Sequence, residues 1–295
     1  MIDENLPLYA DQINSTNFIK HANYVYRPYS SSIPSWLNDK IKEFPNLIPF
    51  ENKDENWKIG KSGIVYSNAN IDLLKFIDLL PDNGSYIVIT RNNDTSITQQ
   101  VLDKAKTKKS IKRWYGINIG FNDPLFVPVP VGCATEGGYS TYLDWVSKEP
   151  QEEKYSDKLI YCRVNATGQN EERRIIIKQN ENNPIFTLVT HQIGSEEMYR
   201  SIKKHVFTAC PVGEGRDCLR TYETIILGGV PLWSDYIELR HFEDLPVIYV
   251  KDWNNLTKEW CDGALEELKN RKTSTDRMRM SYWDNHIKQS VKDLL

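Results

Sequence analysis

The sequence has no long apolar run, few cysteines and little net charge. No segment approaches the roughly 18 consecutive apolar residues that span a bilayer, and the acidic, polar start Met1–Asn5 does not resemble a signal peptide. The five cysteines form no CxxC pair, which argues against a disulfide framework and a zinc site. A formal charge of −3 gives no global reason to expect a polyanionic partner. We therefore expect a cytoplasmic protein without a membrane span.

The material for folding is abundant. The chain has 295 residues, of which 40% are hydrophobic, and its 8 Trp, 16 Tyr and 9 Phe residues can supply more than one core. This composition excludes a disordered chain and favours two α/β domains of ordinary size.

The first half alternates strands and helices after an irregular start. Residues 1–60 show little periodicity beyond a short helix near Ser35–Phe44. Strands are then predicted at Gly63–Tyr66 and Ser85–Thr90, with a helix at Ile71–Leu80 between them. Leu125–Val131 is apolar but contains two prolines, which predicts an edge strand or an extended connector.

The second half repeats the alternation after a charged stretch at residues 146–157, which we interpret as a linker. Uninterrupted apolar strands alternating with helices are typical of parallel sheets covered on both faces. We therefore predict two Rossmann-like domains that face a central cleft. Residues 1–150 form the N-terminal domain, residues 151–275 the C-terminal domain, and residues 276–295 a helix that packs back on the N-terminal domain.

The most informative segment is Cys210–Glu223, where a strand ending at Ala209 is followed by a glycine-containing loop and a helix that begins near Asp217. Glycines let backbone amides approach a phosphate, and a helix start adds partial positive charge. Asp217 is also a good N-cap residue. Arg220 and Glu223 lie one turn apart on one helix face, where an arginine suits a diphosphate and a carboxylate suits ribose hydroxyls. Alone, the segment is more typical of a capped helix with a surface ion pair than of a phosphate-binding site.

The longer context carries a family resemblance. Phe207–Trp253 contains Pro-x-Gly-x-Gly-x-Asp, Arg-x-x-Glu, Gly-x-x-Pro and Asp-Leu-Pro-Val in that order, starting at Pro211, Arg220, Gly228 and Asp244. This series resembles the C-terminal signature of exostosin-like glycosyltransferases. Weaker similarity extends over about residues 85–255, so the specific part of the resemblance lies in the C-terminal half.

The resemblance implies the GT-B architecture, in which the C-terminal domain binds a nucleotide sugar and the N-terminal domain presents the acceptor. We expect a nucleoside-diphosphate sugar, most simply a UDP-sugar, as donor substrate and no further cofactor. By position, Arg220 would contact the diphosphate and Glu223 the ribose, while Arg173 would be a second diphosphate contact, with Arg174 as the competing choice. The complete donor-binding set is Arg173, Gly213, Gly215, Asp217, Arg220 and Glu223.

Two departures and one missing motif refine this picture. Val212 stands where the family usually has a basic residue, which puts one phosphate contact in doubt, and Gly229 stands where a cysteine is common. The chain has no Asp-x-Asp triplet, the motif by which many metal-dependent glycosyltransferases hold a cation. Arginines and a helix dipole can neutralise a leaving diphosphate, so we expect no metal ion.

An inverting reaction needs a base for the acceptor hydroxyl. Asp94, in the turn directly after the strand at Ser85–Thr90, is the first candidate, although a turn aspartate is equally common without catalytic function. Glu136, in a glycine-containing loop, is the alternative.

The sequence is compatible with more than one class of acceptor. The run from Lys104 to Arg113 has six basic residues in ten and is followed by Trp114-Tyr115, which is typical of a solvated helix face but also of a phosphate-binding patch. The patch residues are Lys106, Lys108, Lys109, Lys112 and Arg113. A hydroxylated base in phage-type DNA and an intracellular glycan or lipid-linked sugar are both compatible acceptors. A module of the same fold that binds a nucleotide sugar or glycan without turnover is the alternative function.

Overall fold

The computed structural model describes residues 11–13, 17–27, 48–51, 59–68, 72–91, 94–134, 138–151, 153–164 and 170–295. These residues form two compact units. The six-stranded unit comprises the described residues of 14–131 and 280–295, and the five-stranded unit comprises those of 1–13 and 132–279. No helix in these ranges combines the length and the apolar character needed to cross a membrane.

Strands and helices alternate along most of the chain. The strands are β1 (Tyr24–Arg27), β2 (Ile48–Glu51), β3 (Ser62–Asn68), β4 (Ser85–Arg91), β5 (Ile111–Gly116), β6 (Phe126–Pro128), β7 (Ile160–Arg163), β8 (Phe186–Val189), β9 (Phe207–Cys210), β10 (Val230–Ser234) and β11 (Ile248–Val250). The α-helices are α1 (Leu73–Leu79), α2 (Gln99–Thr107), α3 (Gly138–Lys148), α4 (Glu171–Asn180), α5 (Ser195–Lys204), α6 (Leu219–Ile226), α7 (Ile237–Arg240), α8 (Lys258–Asn270) and α9 (Met280–Leu294). Short 3-10 turns lie at Asn17–His21, Trp253–Asn255 and Asp276–Met278.

Both sheets are parallel throughout. Their strand orders are β2-β1-β3-β4-β5-β6 and β11-β10-β9-β7-β8. Parallel neighbours need crossover connections, and α1, α2, α4, α5, α6 and α7 each lie between two consecutive strands of one sheet. The prediction of an α/β protein with two parallel-strand sheets is therefore confirmed.

In the six-stranded unit the core forms where apolar runs meet helix faces. The strand β4 is buried from Tyr86 to Arg91, as its continuous apolar sequence predicts for a strand covered on both faces. Beside it, α1 buries Leu73, Phe76 and Ile77, which share one face at helical spacing. Asp72 caps α1 by accepting hydrogen bonds from the amides of the second and third helical residues at 3.1 and 3.2 Å.

Two strands fall within residues 1–60, which the sequence predicted to be irregular. Both β1 and β2 pair in parallel, and β1 also pairs with β3. Strands of four residues leave too short a periodic pattern to be detected, and their register is fixed by the neighbouring β3 rather than by local sequence. The short helix predicted at Ser35–Phe44 lies outside the described residues.

The proline-containing segment Leu125–Val131 contains β6, which is the last strand of its sheet. Its Pro128 has no amide hydrogen to donate, so it is tolerated at this edge. Beyond β6, the carbonyls of Pro130 and Val131 accept hydrogen bonds from the buried guanidinium of Arg91 at 2.6 and 2.8 Å. The segment is therefore an edge strand that continues as an extended connector.

Two helices include residues of the charged segments noted in the sequence. Residues 146–148 of the charged stretch 146–157 are the last turn of α3, which buries Leu143 and Val146. The first four residues of the lysine-rich run belong to α2, which buries Val101, Leu102 and Ala105. In both helices a few apolar side chains, rather than the abundant charges, decide the structure.

The last helix, α9, is part of the six-stranded unit. It buries Trp283 and Ile287, and the Tyr115 hydroxyl lies 2.7 Å from the Ser290 hydroxyl and 2.8 Å from His286 Nδ1. Buried aromatic and hydroxyl contacts of this kind tie α9 to β5.

Candidate functional site

A cavity of about 600 Å³ opens at the carboxyl ends of β10 and β11 and at the start of α4. It lies within the five-stranded unit. Ligands of open parallel sheets bind at the carboxyl ends of the strands, because loops and helix starts converge there. Its lining includes Asn170, Glu172, Val212, Arg216, Ser234 and Tyr236.

The loop after β9 is fastened to the start of α4. Asn170 caps α4 by accepting a hydrogen bond from the Arg173 amide at 3.2 Å. Its side-chain amide donates to the carbonyls of Val212 and Gly213 at 3.1 and 2.6 Å. Arg173 adds a bond from Nε to the Val212 carbonyl at 3.0 Å. The two elements are thereby held in one fixed arrangement.

Gly213 lies close to the end of the Arg173 side chain. A Cβ added there would lie 2.8 Å from Nη2 of Arg173, closer than side-chain contacts normally allow. The Gly213 amide donates to the Gly215 carbonyl at 3.0 Å, which makes the loop turn back on itself. The structure therefore brings Arg173 and Gly213 into contact, as their shared assignment to one site requires.

Arg220 and Glu223 form an ion pair in the first turns of α6. Nε of Arg220 donates to Oε2 of Glu223 at 3.1 Å, and the Tyr199 hydroxyl donates to Oε1 at 3.1 Å. The carboxylate side chain is 4% exposed and the guanidinium 21%. Burial lowers the pKa of Arg220, but the Glu223 carboxylate, together with Cys210, Tyr161 and Tyr199, raises it, so the pKa lies above its ordinary value. Arg220 is therefore a permanent cation that the buried carboxylate of Glu223 holds in place.

Asp217 does not cap α6, contrary to the sequence prediction. The N-cap residue is Cys218, which makes no side-chain capping bond and instead donates from its thiol to the Pro211 carbonyl at 3.3 Å. The buried carboxylate of Asp217 accepts a hydrogen bond from the Tyr222 hydroxyl at 2.7 Å. A tertiary bond to the second turn of the helix thus replaces the local bond that a capping aspartate usually makes.

Sequence reasoning missed Glu172 as a site residue. Its Oε1 accepts hydrogen bonds from the Ser234 hydroxyl and from Trp253 Nε1, the latter at 3.1 Å. Its other carboxylate oxygen, Oε2, is buried and has no hydrogen-bond partner among the described residues. A buried acceptor of this kind normally receives a donor, and Glu172 is one of the residues that line the cavity. The signal in the sequence was its place in the first helical turn after a predicted strand.

Arg216 was also missed. Its guanidinium lies over the ring of Tyr236, 4.1 Å from the centroid, and both residues line the cavity. This stacking holds a cation and an aromatic side chain at the cavity wall.

The candidate bases are not among the residues that line this cavity. Asp94 follows β4 in the six-stranded unit and is exposed. Glu136 lies outside the described residues. Among the residues described, no group of three or more His, Cys, Asp or Glu side chains is placed to hold a metal ion.

The lysine-rich run is partly neutralised. Lys106 pairs with Asp123 at 2.5 Å and Lys108 with Asp82 at 2.9 Å. Lys104, which precedes them on α2, pairs with Asp78 at 2.5 Å. The remaining cations of the run, which have no carboxylate partner among the described residues, are Lys109, Lys112 and Arg113.

These features define a parallel α/β unit with an anion-compatible loop, a fixed arginine and a ligand-sized cavity at the carboxyl ends of its strands. Comparison with known proteins points to the same half of the chain. Residues 166–295 match the family model described as the RXYLT1 C-terminal domain. That range contains the cavity, the loop and α6.

Two curated relatives carry the name ribitol-5-phosphate xylosyltransferase 1. The protein from Danio rerio is 29% identical over 113 residues, which cover 34% of this chain and 25% of that protein. The protein from Mus musculus is 24% identical over 188 residues, which cover 52% of this chain and 41% of that protein. The chain thus matches less than half the length of either relative, and both are glycosyltransferases by name.

Proposed function

We propose that the protein is a glycosyltransferase that moves a sugar from a nucleoside-diphosphate sugar, with a UDP-sugar as the expected donor, to a hydroxyl acceptor. The observation that carries the proposal is that the part matching the C-terminal domain of xylosyltransferases also contains the cavity and the fastened loop. The suspected exostosin-like signature lies in the same segment.

The donor would bind with its diphosphate at the loop of Pro211–Cys218. Arg220 supplies a permanent positive charge there, and Arg173 supplies a second guanidinium beside Gly213. Two arginines can neutralise the charge that develops on a leaving diphosphate, so the reaction is proposed to be independent of a metal ion.

The nucleoside would occupy the cavity. Tyr236, stacked under Arg216, offers a ring for contact with a base, and Oε2 of Glu172 offers an acceptor for a hydroxyl or N–H group of the ligand. We assign Glu223 to positioning Arg220, because both of its oxygens already accept hydrogen bonds inside the unit. The ribose contact that the resemblance implies for Glu223 would then fall to Glu172.

In the proposed reaction an acceptor oxygen attacks the anomeric carbon of the sugar. The bond from that carbon to the diphosphate oxygen breaks, the nucleoside diphosphate leaves, and the acceptor proton passes to a base. An attack from the face opposite the leaving group inverts the anomeric centre. Asp94 is the first candidate for the base and Glu136 the second.

The relatives' printed name concerns xylose and ribitol 5-phosphate, so a pentose donor and a sugar or polyol acceptor are the first pair to test. A DNA acceptor is less favoured, because three lysines at the start of the basic run are paired with aspartates. The competing function is a module that binds the donor without turnover.

The test combines binding and turnover. Calorimetry with UDP, GDP, ADP and CDP should give micromolar binding for one of them, and Arg220→Ala should abolish it while Arg174→Ala retains it. Release of that nucleoside diphosphate from its sugar conjugates, with mass spectrometry of ribitol phosphate, glycan and DNA products, separates an enzyme from a binding module. Unchanged nucleotide affinity in Arg220→Ala contradicts the donor site, and binding without product formation under any acceptor favours the module.

A further inference from the structure

A second cavity, of about 610 Å³, lies along α5 in the five-stranded unit, and the proposed donor site does not use it. Its lining includes Tyr142 from α3, Tyr155, and Ser195, Glu197 and Ser201 from α5. It extends from the first turn to the last turn of α5, whose ten residues span about 15 Å at ~1.5 Å per residue. A cleft of this length accommodates an extended ligand.

The surface beside this cavity is unusually aromatic. Tyr139, Tyr142 and Trp145 are 47%, 38% and 48% exposed, and Tyr155 is 43% exposed. The three residues of α3 recur at intervals of three, which places them along one helix face. Half of the large apolar side chains that are exposed in the described part of the chain are these four. Exposed apolar residues are usually scattered singly, so their clustering indicates a binding surface.

The polar and charged groups of the cavity indicate which kind of ligand it can bind. Among its lining residues, the negative charges of Glu196 and Glu197 balance the positive charges of Arg200 and Lys204. Arg200 is further committed, because it binds Glu149 through two bonds of 2.7 and 2.9 Å and lies over the ring of Trp145. A polyanion would therefore meet no surplus positive charge, whereas carboxylates and hydroxyls suit a neutral ligand rich in hydroxyl groups.

We infer that this aromatic cleft binds a neutral carbohydrate chain. The C–H groups on the flat face of a pyranose carry partial positive charge and pack on the electron-rich faces of Tyr142 and Tyr155. The sugar hydroxyls donate to Glu197 and exchange bonds with Ser195 and Ser201. The choice of a sugar over other neutral polyols rests on the proposed glycosyltransferase function, for which the cleft would hold part of an acceptor chain.

Gly194 allows a clean test, because a Cβ added there meets no atom within 4 Å and its φ of −65° suits any residue. Gly194→Phe should place a ring at the mouth of the cleft without disturbing the core. Gly263→Phe is the matched control, since Gly263 in α8 is equally open. Tyr142→Ala removes one aromatic face, and Tyr142→Phe keeps it.

Isothermal titration of the whole protein, without nucleotide, would use neutral hexasaccharides of β-linked glucose, xylose and galactose and a sulfated heparin hexasaccharide. We expect at least one neutral hexasaccharide to bind, with affinity about tenfold weaker in Tyr142→Ala and Gly194→Phe and unchanged in Tyr142→Phe and Gly263→Phe. The inference is overturned if no neutral hexasaccharide binds at millimolar concentration, if only the heparin fragment binds, or if the cleft variants bind as well as the parent.

The same variants separate this inference from the donor site. Arg220→Ala should keep hexasaccharide affinity and lose nucleotide affinity, and Gly194→Phe should do the reverse. If nucleotide binding is absent while the hexasaccharide result holds, the proposed donor function fails and the aromatic cleft stands. Should sedimentation show that Tyr142→Ala dissociates a dimer, the face is a contact between copies and the inference is overturned.

Discussion

Nε of Arg220 and Oε2 of Glu223 are 3.1 Å apart, and both side chains are mostly buried in the five-stranded unit. Tyr199 donates to the other oxygen of the same carboxylate. The carboxylate is thereby fixed, and it fixes the position of the Arg220 guanidinium before any ligand binds. A cation positioned in this way loses little side-chain entropy when it binds an anion.

Replacing Glu223 by Gln should lower both stability and nucleotide affinity. The variant keeps the shape of the side chain but leaves the mostly buried Arg220 without its counter-charge, at a cost of roughly 2–3 kcal/mol. Urea unfolding measures the loss. Tyr199→Phe removes the second bond but keeps the ion pair, so its cost should be about 1 kcal/mol. Equal effects of the two changes would contradict a special role for the charge.

Replacing Gly213 by Ala should weaken nucleotide binding more than stability. The added Cβ displaces the end of the flexible Arg173 side chain, which can move at small cost to the fold but leaves the position proposed for the diphosphate. Thermal unfolding and calorimetry with the nucleotide separate the two effects. Gly194→Ala, at an open position, is the control. Retained affinity in Gly213→Ala would exclude Arg173 from the site.

Replacing Glu172 by Gln tests the cavity as the nucleoside pocket. The amide keeps the bonds from Ser234 and Trp253 but replaces one carboxylate oxygen with a donor, so a ligand hydroxyl loses its acceptor. We expect nucleotide affinity to fall about tenfold or more, which corresponds to ~1.4 kcal/mol. The neighbouring Glu171→Gln, an exposed change in the same cavity lining, should have a much smaller effect. The reverse order of effects would show that the pocket residue is wrongly assigned.

The stability of the five-stranded unit should fall when the pH is lowered below about 6.5. Burial lowers the pKa of His205 below its ordinary value of about 6.5. The neutral ring fits its surroundings, because Nδ1 donates to the Ser201 carbonyl at 2.6 Å and Nε2 accepts from the Thr187 hydroxyl at 2.7 Å. The unfolded state then binds the proton first, so stability is fully present above the unfolded pKa and is lost as the pH falls through the folded one.

Urea unfolding between pH 7.5 and 5, at about half-unit steps, measures that dependence. His205→Gln should flatten the curve, whereas His191→Gln, at an exposed position, should leave it as in the parent. A parent curve without slope over this range would contradict a buried neutral His205.

DNA binding, if present, should depend weakly on salt. At most three cations of the basic run lack a carboxylate partner among the described residues, so the slope of log K against log[salt] should be no steeper than about −3. Titration of a 25-base-pair duplex between 50 and 200 mM salt, with Lys109→Ala/Lys112→Ala beside Lys106→Ala/Lys108→Ala, gives the slope. A steep slope that is lost in Lys106→Ala/Lys108→Ala would favour DNA as the acceptor.

The sequence predicted the sheets better than the site. Apolar runs such as Gly63–Tyr66 and Ser85–Thr90 are sharply bounded, and burial on both faces leaves an unambiguous pattern. The strands β1 and β2 were not predicted, because a strand of four residues takes its structure from the neighbouring strand. The helix α3 was not predicted, because the aromatic and charged residues of its exposed face obscure the helical spacing of its buried apolar residues.

Within the candidate site, Gly213 and Arg220 were proposed from local motifs, but partners distant in sequence could not be inferred. The bond between Glu172 and Ser234 joins residues 62 positions apart. Such pairings depend on how strands order themselves in the sheet, which a single chain does not encode locally.

The place of α9 has a consequence for how the protein is made. A ribosome adding about 5–20 residues each second completes residues 132–279, and with them the five-stranded unit, before the segment that contains α9 appears. The six-stranded unit, although most of it is synthesised first, must wait with its α9-facing surface uncovered around Tyr115. The order of folding is therefore expected to run against the order of synthesis, and the early half is the part that most needs a chaperone.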